Sequence, residues 1–273
     1  MAPRKGKAYR PTVERERLDR RVLELREAGL SYNQIIGQIK LEDNIVLRKS
    51  HIYGWVKGKH RPFGYVTAFD PTPCPELAYV IGVKLGDASM SVNKHYSYMI
   101  KLRVIDREFA EEFSRCLSVI LGRAPPRVKW NPKNSLWETQ ASSLLLRHFL
   151  LRPLENLKPT IEHCRKCKAA FLRGFLDSEG GVSGDTIAIG NTNKETLCYV
   201  QSLLEKAFKI DTRGPYLGTR KGRKVMIKGK WYQANKDCFS VAIKRVGLEK
   251  FAQSIGFIVL RKKLRLDSLI ADG

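Results

Sequence analysis

The chain has 273 residues, 43% of them hydrophobic, which is enough for one large domain or two to three modest ones with real cores. Its 50 lysines and arginines against 27 acidic residues give a net charge of +23, which predicts a polyanionic partner: nucleic acid first, an anionic membrane surface as the alternative. Since the sequence shows no membrane-spanning apolar run and no targeting signal, we expect a cytoplasmic protein of prokaryotic type without a membrane partner.

Residues 1–65 predict a small all-α domain. Apolar residues recur at helical spacing from Leu18 to Ala28, and Gly29 predicts the end of that helix. Ser31 and Ser50 are predicted N-caps of two further helices. A linker over residues 66–75 follows, since it includes the proline-rich run at 71–75.

The order of these three helices resembles a helix-turn-helix module, in which the last helix fits the DNA major groove. The alternative is a small helical bundle whose basic rim is only solvated. The charge of the whole chain favours DNA contact. The candidate DNA-binding residues of this module are Lys49, His51 and Lys57.

The rest of the chain repeats itself. The stretch LAYVIGVKLGDAS at residues 77–89 corresponds to FLRGFLDSEGG at 171–181, and each is followed by alternating residues, a helix and basic hairpins. This pattern predicts an α+β fold with two tandem αββαββα repeats and antiparallel sheets. We place the repeats at residues 76–160 and 161–273.

Small residues recur one helical turn apart in both matching stretches. They are Gly82 and Gly86 in the first copy, and Gly174 and Ser178 in the second. Faces of this kind let two helices pack backbone against backbone, which would bring their C-terminal ends together. These four residues are the predicted helix interface.

One acidic residue follows each of these helices at the same relative position, Asp87 in the first copy and Glu179 in the second. Asp177 lies roughly 200° from Glu179 around the helix and points elsewhere. Two like charges beside a polyanion are costly unless a cation neutralises them. Magnesium prefers carboxylate and phosphate oxygens, so the pair predicts a Mg²⁺ site for phosphodiester hydrolysis.

Basic residues alternate with apolar ones in the predicted strands. Residues 98–104 place Lys101 and Arg103 on one face, and the run at 220–230 holds six positive charges and no acid. Such runs are usually solvated faces, but several in one chain favour a surface that lies along DNA. The candidates are Lys101, Arg103, Arg127, Lys129, Arg220, Arg223, Lys224, Lys228 and Lys230.

The six cysteines are scattered along the chain. His163, Cys164 and Cys167 have the spacing of half a zinc site, because thiolate and imidazole suit that metal. A single Cys-x-x-Cys without a second pair is a weak signal, and free buried thiols are the default in a reducing compartment.

The two motifs, VIGVKLGDA at residues 80–88 and LRGFLDSEG at 172–180, resemble those of the monomeric two-motif LAGLIDADG homing endonucleases. The resemblance implies a pseudo-twofold saddle of two sheets over double-stranded DNA, cut across the minor groove to leave 3′ overhangs. It implies that Asp87 and Glu179 bind Mg²⁺, with Mn²⁺ as a substitute, and are catalytic. It further implies a basic catalytic residue in each half, best matched by Arg107 and Lys194.

The sequence departs from the family at Lys84 and Ala88, where apolar residues and glycine are usual. Two other functions stay open at this point. One is a catalytically silent regulator that binds DNA with the same fold. The other is a maturase that binds intron RNA, since basic sheets bind RNA too.

Overall fold

The structure is a computed structural model that describes residues 12–59, 69–92, 98–227 and 229–272. The chain divides into two units, Met1–Val66 and Thr67–Gly273. Residues 66–68 of the predicted linker lie outside the described residues. No helix within the described ranges is both long and apolar enough to cross a membrane.

The first unit contains helices α1 (Thr12–Glu27), α2 (Tyr32–Asp43) and α3 (Lys49–Val56). Gly29 takes a φ of +87° two residues after the end of α1, a conformation that suits glycine, so the predicted helix stop is confirmed. Ser31 caps α2 in a capping box with Gln34. The core of this unit consists of Leu18, Val22, Leu25, Ile35, Ile39, Leu47 and Ile52.

The prediction that Ser50 caps the third helix is wrong. Helix α3 begins at Lys49, two residues before the start that a Ser50 cap implies, and its N-cap is Arg48, which makes no side-chain cap hydrogen bond. Leu47 is 4% exposed, and its place in the core fixes where the chain turns into the helix. Ser50 therefore lies inside the first turn.

The second unit contains two successive sets of helices and strands. The first set comprises α4 (Pro75–Leu85), β1 (Ser89–Val92), β2 (Tyr98–Val104), α5 (Arg107–Leu121), β3 (Lys129–Asn131), β4 (Leu136–Ser142), α6 (Leu144–Leu150) and α7 (Leu154–Glu162). The second comprises α8 (Arg165–Glu179), β5 (Gly180–Ser183), β6 (Thr186–Asn191), α9 (Lys194–Phe208), β7 (Thr212–Thr219), β8 (Lys224–Ile227), β9 (Lys230–Gln233), β10 (Cys238–Ile243), α10 (Leu248–Ser254) and α11 (Leu260–Ala271).

Each set folds into the same arrangement. The strands form antiparallel sheets in the orders β1-β2-β4-β3 and β5-β6-β10-β7. The predicted α+β class with tandem αββαββα repeats is therefore confirmed. The second copy differs by an inserted antiparallel hairpin, β8–β9, which pairs with neither four-stranded sheet.

The alternation predicted for β2 is confirmed. Ile100 and Leu102 are fully buried, whereas Lys101 and Arg103 lie on the opposite face. One core runs through the whole second unit, with residues from both helices α4 and α8 and from both four-stranded sheets. The apolar faces of the sheets therefore cover the central helix pair, and their polar faces point away from it.

Candidate active site

Helices α4 and α8 touch backbone to backbone. A Cβ atom added to Gly82 would meet the carbonyl oxygen of Phe171, and one added to Gly174 would meet that of Tyr79. A Cβ on Gly86 would run into Ser178 and would lie 3.2 Å from Cγ of Glu179. The two helices can approach this closely only because these positions lack side chains. The C-terminal end of α4 therefore lies against the C-terminal end of α8.

Asp87 follows the C-cap residue of α4, Gly86. The residue is open to solvent. Neighbouring protein nevertheless displaces enough water to raise the pKa of its carboxyl, and the positive charge of Lys262 acts in the opposite direction. Asp87 is thus an exposed residue whose carboxyl is partly desolvated by neighbouring protein.

Glu179 is the last residue of α8 and is half-buried. Burial and then the negative charge of Asp87 raise its pKa to about 7. Lys262 and a hydrogen bond from Asn191 Nδ2 to Glu179 Oε1, 3.1 Å long, oppose that rise. The negative charge of Asp87 therefore acts on Glu179, and a pKa that burial and a like charge raise together is common in functional sites.

Asp177 lies beneath the site and is 2% exposed. Its carboxylate accepts hydrogen bonds from Tyr79 Oη at 3.1 Å and from the backbone amides of Ile258 and Val259 at 3.0 and 3.4 Å. Burial raises its pKa to about 6, although these three donors favour the charged form. Asp177 therefore anchors the start of α11 to α8.

Sequence reasoning missed Lys262, which α11 inserts beside the acids. The residue is 6% exposed, and its Nζ donates to the carbonyl oxygens of Leu176 at 3.1 Å and Asp177 at 2.5 Å. The positive charge of Lys262 lowers the pKa of both Asp87 and Glu179. It lies in a run of basic residues that looks like a solvated face, and its helical spacing from buried Leu266 was the available signal.

Arg107 and Lys194 begin the helices α5 and α9 and are both exposed. Arg107 pairs with Glu111 at 2.7 Å, and its guanidinium lies 5.2 Å from the ring centroid of Trp137. Lys194 places its Nζ 5.4 Å from the ring centroid of Phe239. Both side chains are free to reorient toward a ligand, because an exposed ion pair or ring contact holds them only weakly.

Predicted DNA-binding residues lie on the polar face of the first sheet. Lys101 and Arg103 in β2 lie on the same face as Lys129 in β3, because directly opposite residues share a face. Glu138 pairs with Lys101 at 2.7 Å and with Arg103 at 3.2 Å, so part of this positive charge is already neutralised. Arg127 is exposed just before β3.

The other predicted contacts lie elsewhere in the chain. Arg220, Arg223 and Lys224 are exposed at the base of the inserted hairpin, which also exposes the aromatic rings of Trp231 and Tyr232. Lys228 lies outside the described residues, as does the side chain of Lys230. In the first unit, Lys49, His51 and Lys57 are all exposed on or next to α3.

Known proteins share this architecture. Residues 166–256 match the family model described as a LAGLIDADG-like domain. The crystal structure of I-DmoI in complex with DNA and Ca aligns with 71% of this chain and 97% of the I-DmoI chain, with 15% identity and a TM-score of 0.51. The N-terminal LAGLIDADG domain of DUF199/WhiA covers 68% of this chain and 86% of that chain, with 12% identity and a TM-score of 0.41.

The second unit therefore has the LAGLIDADG fold. The uncharacterized protein MJ0398 of Methanocaldococcus jannaschii is 34% identical over 253 residues, which are 91% of this chain and 91% of that protein. The chain belongs to the same family as MJ0398.

The oxygen atoms at the junction of α4 and α8 suit a hard divalent cation. Asp87 and Glu179 offer two carboxylates, and repulsion between them is one cause of the raised pKa of Glu179. A cation that binds oxygen ligands would remove that repulsion. The donors present therefore fit magnesium or manganese far better than a thiol-seeking metal.

Proposed function

We propose that the chain is a site-specific homing endonuclease that hydrolyses phosphodiester bonds in both strands of double-stranded DNA with a divalent metal. One observation carries this proposal: the tightly packed ends of α4 and α8 each contribute one carboxylate, and the charge of Asp87 raises the pKa of Glu179. The same chain carries a net charge of +23 for a polyanionic substrate. Each strand of the target would pass one end of this acidic pair.

In this proposal Asp87 and Glu179 hold the metal, Mg²⁺ with Mn²⁺ as a substitute. When bound, such an ion lowers the pKa of a coordinated water and stabilises the leaving oxygen of an in-line displacement. Asn191 fixes the orientation of the Glu179 carboxylate, and Lys262 holds the C-terminal end of α8 and compensates the negative charge of the acids while the metal is absent. Arg107 and Lys194 would reach the scissile phosphates and steady their developing charge.

The DNA would lie along the polar faces of the two four-stranded sheets. Lys101, Arg103 and Lys129 supply positive charge on the first sheet. The inserted hairpin β8–β9 would extend the DNA contact through the basic residues where it begins and through its exposed aromatic rings, Trp231 and Tyr232. Such rings suit stacking on bases or contacts in a groove. Because one chain supplies both acids, a monomer suffices for cleavage of both strands. The cuts would cross the minor groove and leave 3′ overhangs.

The test is cleavage of duplex DNA by the full chain. We suggest two substrates with Mg²⁺. One is a duplex in which the sequences on either side of the gene for this chain are joined directly, and the other is a library of random long duplexes. We expect Asp87→Asn and Glu179→Gln to lower the cleavage rate at least 10³-fold, because each removes a metal-binding oxygen anion. DNA affinity in the absence of cleavage should change little.

Asp185→Asn is the matched control, because it removes an exposed acid from the β5–β6 turn of the same repeat. Full activity in either active-site variant, or equal losses in the control, would contradict the assignment. A chain that binds duplex DNA tightly and leaves it intact with Mg²⁺ and with Mn²⁺ is a regulator and not an endonuclease. Mapped ends without 3′ overhangs would refute the proposed cutting geometry.

We further propose that the first unit is a helix-turn-helix module that adds a DNA contact through α3. Its exposed Lys49, His51 and Lys57 support this proposal. Removal of residues 1–65 should weaken DNA binding and lower the slope of log affinity against log salt by roughly one for each lost phosphate contact. The cut positions should not move. An unchanged salt slope would mean that the basic residues of α3 face solvent and do not contact DNA.

A further inference from the structure

A second group of metal-binding side chains lies at the start of α8, away from the acids. His163 is the C-cap of α7, Cys164 is the N-cap of α8, and Cys167 lies in the first turn of that helix. The direct connection between the two helices thus brings an imidazole and two thiols together. None of these residues has a role in the proposed cleavage.

The positions of these side chains match a tetrahedral metal site. One ligand atom from each of His163, Cys164 and Cys167 lies within 4.8 Å of the other two. The two Sγ atoms are 3.4 Å apart. In a zinc site with Zn–S bonds of about 2.3 Å, sulfur ligands lie roughly 3.8 Å apart, so the thiols need only a small shift. Cys164 is partly exposed, which leaves a path for the ion.

A third cysteine lies at the matching position of the other central helix. Cys74 is the N-cap of α4, as Cys164 is of α8, and its sulfur accepts from the Leu77 amide just as Cys164 accepts from the Cys167 amide. The sulfur of Cys74 is not one of the three ligand atoms that lie within 4.8 Å of one another, so it must shift toward them to bind the same ion. The close packing of α4 on α8 places the first turns of the two helices at the same end of the pair.

This cluster is well separated from the acidic pair. Helix α8 has 15 residues and rises about 1.5 Å per residue, so Cys164 and Glu179 are about 22 Å apart. Thiolate and imidazole ligands favour zinc, whereas the carboxylates at the other end favour magnesium. The two ends of the helix pair therefore offer two chemically different sites.

We propose that His163, Cys164 and Cys167 bind a structural Zn²⁺ ion at the junction of α7 and α8, and that Cys74 moves in as the fourth ligand of the Cys₃His combination typical of closed structural zinc sites. A disulfide between Cys164 and Cys167 is the other use of a Cys-x-x-Cys pair. It has no need of His163, whereas a metal uses the imidazole together with both thiols, and this favours the metal.

The test is metal binding by the full chain after removal of metals under reducing conditions. We expect one equivalent of Zn²⁺ per chain. With Co²⁺ as the probe, we expect the charge-transfer and visible bands of tetrahedral thiolate coordination. Cys164→Ser should lower the affinity for Zn²⁺ about 100-fold, and Cys74→Ser and His163→Ala about tenfold or more. Serine keeps the N-cap at both cysteine positions, so these variants should fold.

Cys198→Ser is the matched control, because Cys198 is an exposed cysteine on α9 of the same repeat. Its affinity for Zn²⁺ should stay within about twofold of the parent chain. Equal binding by the parent and Cys164→Ser, the absence of thiolate bands with Co²⁺, or isolation of the chain with a Cys164–Cys167 disulfide would each overturn the proposal. The Co²⁺ bands should persist in Asp87→Asn, so the outcome does not depend on whether the chain cleaves DNA.

Discussion

The two repeats of the second unit build the same helix end in different ways. The first places Asp87 beyond Gly86, exposed to solvent and at the end of a helix that buries no charged residue. The second places Glu179 in a polar frame in which Asn191 holds its carboxylate and Asp177 lies buried two residues earlier. At the position of Asp177 the first repeat has Leu85.

This difference indicates a division of labour between the repeats. The second repeat fixes the geometry of the site, because its acid is held by a hydrogen bond and its helix is tied to α11 through Asp177 and Lys262. In the proposed function, the first repeat would add an exposed acid that adjusts to a bound ion and substrate. The match to the LAGLIDADG-like family model, which covers residues 166–256, falls on the second repeat. The predictions below separate what the repeats share from what only one of them has.

The shared feature is the helix interface, and it should give the largest effect on stability. Gly82→Ala and Gly174→Ala each add a methyl group against a backbone carbonyl of the facing helix, which cannot move aside as a side chain could. We expect each change to lower the free energy of unfolding by about 3 kcal/mol or more. Urea unfolding followed by tryptophan fluorescence would measure this.

Gly181→Ala is the control, since a Cβ at that position meets no atom within 4 Å. It should change stability by less than about 1 kcal/mol. Gly82→Ala and Gly174→Ala should also lower the free energy of unfolding by similar amounts. A loss at Gly174 with none at Gly82 would show that α4 shifts to accommodate the methyl group, and the symmetric description of the interface would then be wrong.

Local periodicity made the shared architecture predictable. The repeat of the glycine-containing stretch and the alternation in β2 each depend on residues that are neighbours in sequence, and the fold class followed from them. The asymmetric part was not predictable in this way. Lys262 contacts Asp177 across 85 positions, and Asn191 reaches Glu179 only through the pairing of β5 with β6. Such contacts depend on how helices and strands that are distant in sequence pack against one another.

Asp177 gives the clearest contrast with the first repeat. Asp177→Leu copies the residue at Leu85, but it leaves Tyr79 Oη and the amides of Ile258 and Val259 without their acceptor. We expect a loss of about 2–3 kcal/mol in unfolding free energy, because buried donors without partners keep their full desolvation cost. Asp177→Asn keeps one acceptor oxygen and should lose clearly less. Equal losses in both variants would show that the charge, and not the hydrogen bonds, stabilises the start of α11.

The smallest expected effect concerns the charge of Glu179. Burial and Asp87 raise the pKa of Glu179 to about 7, so the folded chain keeps a proton there that the unfolded chain loses near pH 4.5. Stability from this group is therefore full below about pH 4.5 and declines as the pH rises to about 7. Glu179→Gln does not ionise and avoids this decline. After allowance for solvent screening of a half-buried group, the variant should be more stable than the parent by about 1 kcal/mol at pH 8 without divalent metal.

Paired urea titrations at pH 5 and pH 8 in chelator measure this difference, which should grow between the two pH values. Asp87→Asn should give a similar trend, because it removes the charge that repels Glu179. Addition of Mg²⁺ at pH 8 should stabilise the parent and leave Glu179→Gln nearly unchanged, since a bound cation stabilises only the state that binds it. If the parent were the more stable protein at pH 8 in chelator, the acids would not repel each other, and the second repeat would hold its carboxylate without strain.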